Sequence, residues 1–296
     1  MIDPQCIESH AGLQSHYQYD AKYAMSYALA TGMGMDPMNQ QALSFCCDDQ
    51  RGSPLVLPTS PIVMGWVDLI RDPRSFDASL GIDPERAVVG QVSFTLHRPM
   101  KPAGMGRTHT HFGPVVDKGQ GKGALICVRR EVYEESEELL ATIDTWMFIR
   151  GAGGFGGQSE GGLNREKVPD RLADVVSDIH TSPQQALLYR LMLNDHNRVH
   201  SDPVFAKNSG FERPILHGLA TFSMAVHQLL MQCKSFFSNS NFQSFTAQAS
   251  LIGPVFPGDT LRTEIWKEFN QFHFRMRAPQ RDAVVLDSGI YFSRSL

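Results

Sequence analysis

The sequence predicts an α+β protein made of two copies of one module, each a central helix followed by an antiparallel sheet that can wrap it. Three observations carry this. A helix followed by four strand-like runs occurs twice along the 296 residues. Between the two sets the composition collapses into GAGGFGGQSEGG, which reads as a linker. Sliding the chain on itself by 155 positions aligns FTLHRPMKPAGMGRT with ASLIGPVFPGDTLRT, matching Leu96 to Leu251, Pro99 to Pro254, Pro102 to Pro257, Arg107 to Arg262 and Thr108 to Thr263. The expected divisions are a first module over 1–150, a glycine-rich linker over 151–170 and a second module over 171–296.

In the first module, DAKYAMSYALA places good helix formers after a capping aspartate, and Gly32 and Gly34 stop the helix that runs from Asp20 to Ala30. LPTSPIVMGW follows, and its paired prolines predict an extended segment. Alternating or β-rich residues then predict strands over Val88–His97, Arg107–Val116, Ala124–Val132 and Leu139–Arg150. The acidic run EVYEESEELL between the last two is a solvated hairpin turn. In the second module a helix over Leu219–Cys233 puts Leu219, Phe222, Val226, Leu229, Leu230 and Cys233 on one face. Strands follow over Phe242–Leu251, Thr260–Phe269, Gln271–Met276 and Val284–Phe292.

Composition narrows the function classes. Thirty-one acidic against 27 basic residues give a net charge of -4, with no local cluster of cations, so no footprint for nucleic acid or an anionic membrane is present. No apolar run approaches the roughly 18 residues of a membrane span, and MIDPQCIESH lacks the basic and apolar regions of a signal peptide. Arg294-Ser295-Leu296 shares only its last residue with the peroxisomal tripeptide and is not read as an address. Five cysteines with no CxxC spacing suit a reducing, cytoplasmic compartment.

Two motifs are set aside. Gly151 to Gly156 satisfies GxGxxG, but the following residues stay polar and glycine-rich instead of opening a helix that could hold a pyrophosphate. His109 and His111 share one strand face at a spacing that can chelate a metal. No carboxylate or cysteine stands at ligand spacing nearby in the sequence, so no metal site is expected there.

The segment YRLMLNDHNRVHSDPVFAKNSGFERPILHG, from Tyr189 to Gly218, is the richest in chemistry. It gathers Asp195, Asn197 and His200 among turn formers and ends where the second long helix begins. A carboxylate, a carboxamide and an imidazole held together suit proton transfer, and a glycine N–H at a helix start suits an oxyanion. Spacing alone equally allows two turn residues and a core histidine.

The pattern Asp-x-Asn-x-x-His, then Asp202-Pro203, Ala206, Gly210-Phe211 and Pro214 to Leu219, resembles the MaoC-like family of (R)-specific type-2 enoyl-CoA hydratases. YDAKYAMSYALATGMG, VLPTSPIV, the HRPM strand, FIRGAGGFGG and VFPGDTLRTEIW look like its two-module members, so the resemblance covers the whole chain and implies a double hotdog fold. It implies that Asp195 and His200 are the catalytic pair, that Asn197 helps hold a water and that the Gly218 N–H stabilises a thioester enolate. The implied reaction is reversible syn hydration of a trans-2-enoyl-CoA to an (R)-3-hydroxyacyl-CoA, on a medium, long or bulky acyl chain, without cofactor or metal, in a homodimer. A non-catalytic acyl-CoA-binding protein is the alternative, and a thioesterase a further one.

Leu193-Asn194 and Arg198 depart from the family's Ser-Gly and proline, and one extra residue stands between Tyr189 and Asp195, so the turn that aims the pair is altered. The first module lacks the Asp-x-Asn-x-x-His pattern, which implies one active site per chain and an acyl-binding role for that module. Small and methionine residues over Met25–Met38 suit either an adaptable apolar pocket or helix-end packing. Lys207, Arg213, Arg275 and Arg277 are candidates for the CoA phosphates, and His217, beside Gly218, for substrate contact.

Overall fold

The computed structural model describes residues 1–48, 52–72, 78–232, 244–269 and 271–294. In chain order its elements are α1 (Pro4–Ser9), β1 (Leu13–Tyr19), α2 (Ala21–Ala30), α3 (Gln40–Leu43), β2 (Ala87–Leu96), β3 (Gly104–Asp117), β4 (Gly123–Glu134) and β5 (Leu139–Arg150). The second half adds β6 (Val175–His180), α4 (Gln185–Leu193), α5 (Pro203–Asn208), α6 (Gly218–Gln232), β7 (Ser244–Leu251), β8 (Thr260–Lys267), β9 (Phe272–Ala278) and β10 (Ala283–Arg294). No helix among the described residues is long and apolar enough to cross a membrane.

All ten strands form one antiparallel sheet in the order β1-β3-β4-β5-β2-β7-β10-β9-β8-β6. Each half of that order is the other reversed, and the halves meet where β2 pairs with β7. At the centre of this junction Ser93 pairs with Gln248, its own repeat equivalent 155 positions on. The sequence repeat is therefore a pseudo-twofold axis through the sheet, the arrangement of a double hotdog. Along β2 and β7 every second side chain points inward, and Val92, Phe94, Leu96, Phe245, Ala247 and Ala249 are buried. One continuous core joins them to both long helices.

The two helices differ. In α2, the Asp20 carboxylate caps the Tyr23 N–H at 2.9 Å, and just past the ten-residue helix the chain turns out at Gly32, whose φ is +82°. Helix α6 has 15 residues and is buried from Leu219 to Leu230. The single apolar face expected there is thus corrected: the sheet surrounds this helix, so Thr221, Ser223, His227 and Gln228 are buried along with the apolar residues. Cys233, Phe242 and Gln243 lie outside the described residues. Tyr27 Oη lies 3.0 Å from Ser223 Oγ and 2.9 Å from Thr59 Oγ1, and Thr59 also meets His227, which ties the helices together with polar contacts.

LPTSPIVMGW is not extended. Ser60–Ile62 forms a 3₁₀ turn with proline in its first turn, and Thr59 to Met64 are buried under the sheet. The acidic run also differs from expectation, since residues 131–134 belong to β4 and only the following four make the turn, with Glu137 at φ +64°. Over 151–170 no regular element forms, but the segment is seated. The Asp117 carboxylate accepts the N–H groups of Gly119 at 2.8 Å, Gly154 at 2.8 Å and Gly156 at 2.6 Å, and Leu163 packs near Cys127 and Trp146 on the outer sheet face.

Burial of three imidazoles sets a pH dependence. His227 and His200 are lowered to about 3 and His217 is lowered too, burial being the largest cause in each. As pH falls below the ordinary 6.5, the unfolded chain takes up these protons before the folded one does. Folding stability is expected to drop by about 1.4 kcal/mol per pH unit for each imidazole kept neutral. Denaturant unfolding at about pH 7.5 and about pH 5.5 checks this, and equal midpoints would mean that the folded protein accepts the protons.

Candidate active site

Helix α4 ends at Leu193, and Asn194 takes the left-handed conformation at φ +51°, the usual way to stop a helix and redirect the chain. The altered turn is thus a regular helix end that carries Asp195 inward. Asp195 Oδ1 accepts the Asn197 N–H at 2.8 Å. Asn197 then caps a 3₁₀ turn over Arg198–His200, its Oδ1 accepting the Val199 N–H at 3.2 Å, which leaves its amide NH₂ without a role in the turn. Arg198 points outward: it pairs with Asp202 and lies over Phe205. Asp202 also caps α5, with Pro203 in its first turn, so the Asp-Pro of the motif is a helix start.

Asp195, His200 and His217 converge. Asp195 Oδ2 lies 3.8 Å from His200 Nε2 and 3.2 Å from His217 Nε2, and the two imidazoles stack with centroids 3.6 Å apart. His200 Nδ1 lies 2.9 Å from the Ile215 carbonyl oxygen. Since that oxygen can only accept, Nδ1 carries the proton and Nε2 turns a lone pair toward Asp195. Burial alone would raise the Asp195 carboxyl, but the contact with His217, the influence of both imidazoles and the Asn197 N–H outweigh it and hold it below its ordinary range. Burial, reinforced by the stacked His217 ring, lowers His200 to about 3 against the pull of Asp195. The resting arrangement is one carboxylate beside two neutral imidazoles.

These groups open on a cavity of about 310 Å³ that is walled from both halves of the chain. Asp195, Asn197, His200, His217 and Gly218 line one side. Residues 66–71, with Val88 and Val89 on β2 and Met147 on β5, line the other. Gly218 begins α6, so its N–H has no acceptor within the helix. A Cβ there would stand 3.3 Å from Leu251 Cδ1 and Val89 Cβ, so glycine keeps this wall open.

The sequence-predicted residues divide accordingly. Asp195, Asn197, His200 and Gly218 come together at the cavity. His217 lines it as well, with its Nε2 3.2 Å from Asp195 Oδ2 and its ring 5.1 Å from that of Tyr189. Lys207 is exposed on α5, and Arg213 reaches Asp259 at 3.9 Å over the Phe256 ring, both outside the cavity wall. Arg275 and Arg277 require correction. They are engaged by Glu264 on β8 and by Asp282 in the turn before β10, and do not line the cavity. The cations that do are Arg71, which donates to the Ala87 carbonyl at 3.2 Å, and Arg150, which donates to the Ser209 carbonyl at 3.1 Å. Neither had a local signal, because one precedes β2 and the other ends β5 and only the fold brings them to the second half. Of the Met25–Met38 segment nothing lines the cavity; Gly32 packs against Ile179 and Met224, so helix-end packing accounts for it.

Asp195, His200 and His217 hold donor atoms within 4.8 Å of one another, as do His109, His111 and Glu131 on the outer sheet face. The second group corrects the expectation that no carboxylate is near the histidine pair, since Glu131 stands opposite His109 in the β3–β4 register.

Fold and site together define a double hotdog protein with a carboxylate–imidazole pair at a cavity shared between its halves. Residues 17–151 match the MFE-2 hydratase 2 N-terminal domain and residues 165–287 the MaoC like domain. The chain belongs to the MaoC-like family of type-2 enoyl-CoA hydratases. It is 35% identical over 268 residues to an enoyl-CoA hydratase of Mycobacterium tuberculosis, covering 89% of each chain. It is 33% identical over 293 residues to the peroxisomal enoyl-CoA hydratase 2 of Arabidopsis thaliana, covering 94% of this chain and 91% of that one. Among solved structures, a MaoC-like dehydratase from Phytophthora capsici superposes with a TM-score of 0.81 at 27% identity over the full length of both.

Proposed function

We propose that the protein catalyses reversible syn hydration of trans-2-enoyl-CoA thioesters to (R)-3-hydroxyacyl-CoA. The observation that carries this is the facing of Asp195 Oδ2 and His200 Nε2 across 3.8 Å, at a cavity that also receives the unpaired N–H of Gly218. Water held by Asn197 and the pair attacks the β-carbon, and its oxygen forms the new C–O bond as the π electrons move toward the thioester oxygen. His200 Nε2 takes the water proton, and Asp195 stabilises the resulting imidazolium. The enolate oxygen charge falls to the Gly218 N–H. With the carboxylate ionised and both imidazoles neutral, the pair has no spare proton, so the one delivered to the α-carbon is the one withdrawn from water. Both bonds form on the same face, which is syn addition.

The cavity walls from the first half, Trp66 to Arg71, Val88 and Val89, support an acyl-holding role for that module and a medium, long or bulky chain. The binding-only alternative rested on the altered turn, and the outward Arg198 and regular Asn194 helix end remove its motive. A homodimer agrees with the exposed Leu187, Leu188 and Leu191 on α4. Incubation with trans-2-enoyl-CoA esters of graded length should consume the conjugated thioester absorbance and yield only the (R)-3-hydroxy product. No turnover on short, long, branched or sterol-linked esters, or release of free CoA thiol instead, would overturn the proposal.

A further inference from the structure

We propose that the outer face of the first module carries a binding site for a transition-metal dication of the Zn²⁺ type, built from His109, His111 and Glu131. Along β3 the inward Thr108 and Thr110 are buried, which turns Arg107, His109 and His111 to the outer face. The two imidazoles stand with centroids 4.8 Å apart at 27°, nearly parallel. Strand pairing sets Glu131 of β4 directly opposite His109, its carboxylate 3.8 Å from His109 Nδ1. All three donor atoms fall within 4.8 Å of one another. Around a tetrahedral ion with bonds near 2.1 Å, donors lie roughly 3.4 Å apart, a closure that side-chain rotation supplies while the paired strands stay fixed.

The two arginines on this face are paired with other carboxylates. Arg129, next to it on the same face, is held by Asp144 in two bonds of 2.6 and 2.7 Å. Arg107 is held by Glu137 through its Nε at 2.8 Å. Both arginines thus have a carboxylate partner of their own, and Glu131 also meets the Tyr133 hydroxyl. His111 Nδ1 is buried without a hydrogen-bond partner, so this ring has a polar atom left unsatisfied. Two imidazoles and one carboxylate suit Zn²⁺ and not the all-oxygen sites of Mg²⁺ or Ca²⁺, and three protein ligands leave a position for water. The bound ion would clip β3 to β4, on the sheet face opposite the acyl cavity.

The test is titration of the full chain with ZnCl₂ by calorimetry, alongside thermal unfolding. Because Asp195, His200 and His217 form the other candidate group among the described residues, the parent is compared with Asp195→Asn and with a His109→Asn/His111→Asn double variant. The expected result is one Zn²⁺ per chain and a raised Tm in the parent and in Asp195→Asn. The double variant should lose more than the roughly 10–100-fold in affinity that removal of a mere outer-shell partner costs. Glu131→Gln, which preserves shape, should weaken binding in the same direction, and hydration by the double variant should stay at the parent level. Absence of Zn²⁺ binding by the parent, or binding of equal strength by the double variant, would overturn the proposal.

Discussion

Asp195→Asn is expected to lower kcat/KM for enoyl-CoA hydration by about 10²–10⁴-fold, and His200→Gln by a similar factor, each with its fold intact. In the aspartate variant the amide removes the charge that would stabilise the His200 imidazolium, but occupies nearly the same volume. It also keeps an oxygen for the Asn197 N–H, so the helix end at Asn194 need not rearrange. In the histidine variant, the side-chain NH₂ can still donate to the Ile215 carbonyl, but nothing replaces the Nε2 lone pair. Loss should fall on kcat with little change in KM, because neither atom is needed to hold the thioester in its ground state. The double variant should be scarcely worse than either single one, since both act on one proton. Near-parent turnover in either single variant would show that the pair is structural. Circular dichroism and denaturant midpoints separate loss of chemistry from loss of fold.

Much of this site was legible in the sequence, and the part that was not has a physical reason. Asp195, Asn197 and His200 lie close along the chain, and their residue types alone suggest proton transfer. His217 could be placed beside Gly218 but not against Asp195, since that contact exists only once α4 and the start of α6 converge. Arg71 and the Trp66 to Arg71 wall reach the cavity from the other half of the chain, across the β2–β7 junction, and carry no local pattern. The same holds for Glu131, which meets His109 through strand register and not through spacing.

The fold divides along similar lines. Strands β2 to β5 and β7 to β10 were found because inward and outward residues alternate or β-formers run on. β1 and β6 are the two edge strands and carry no such signal: past Leu13, LQSHYQY is polar or aromatic, and VVSDIH is never fully buried, so neither advertises a core face. Helix α4 was missed although QALLYRLML is rich in helix formers, because Gln184 provides no side-chain cap to mark its start. For α6 the helix was legible and its surroundings were not. A one-sided stripe was expected, whereas a helix enclosed by the sheet buries every side, its polar Thr221, Ser223, His227 and Gln228 included.

Phe245→Ala is expected to destabilise the protein by about 3–5 kcal/mol, the cost of emptying a well-packed aromatic site. Phe245 is fully buried on β7 at the pseudo-twofold junction, with its ring 5.7 Å from Phe94 on β2 and 5.2 Å from Tyr291 on β10. Neither half of the chain contains the whole cluster, so the cavity would open between them. Phe94→Ala should cost a similar amount, and the two together less than their sum, because the second truncation enlarges a void already present. The unfolding transition should remain single in both variants, since one core and six paired residues of β2 and β7 couple the halves. Urea titrations followed by fluorescence and by circular dichroism test this: a lower midpoint with coincident curves is the expected result. Two separated transitions, or a loss below about 1 kcal/mol, would mean that the junction is a contact between independently stable modules. Hydration activity should fade in step with the folded fraction and not before it, because Val88 and Val89 at one end of β2 and Leu251 at one end of β7 form the cavity wall beside Gly218. A continuous sheet thus has two consequences: it stabilises both copies of the fold, and it brings a wall from the copy without the Asp-x-Asn-x-x-His pattern to the copy that has it.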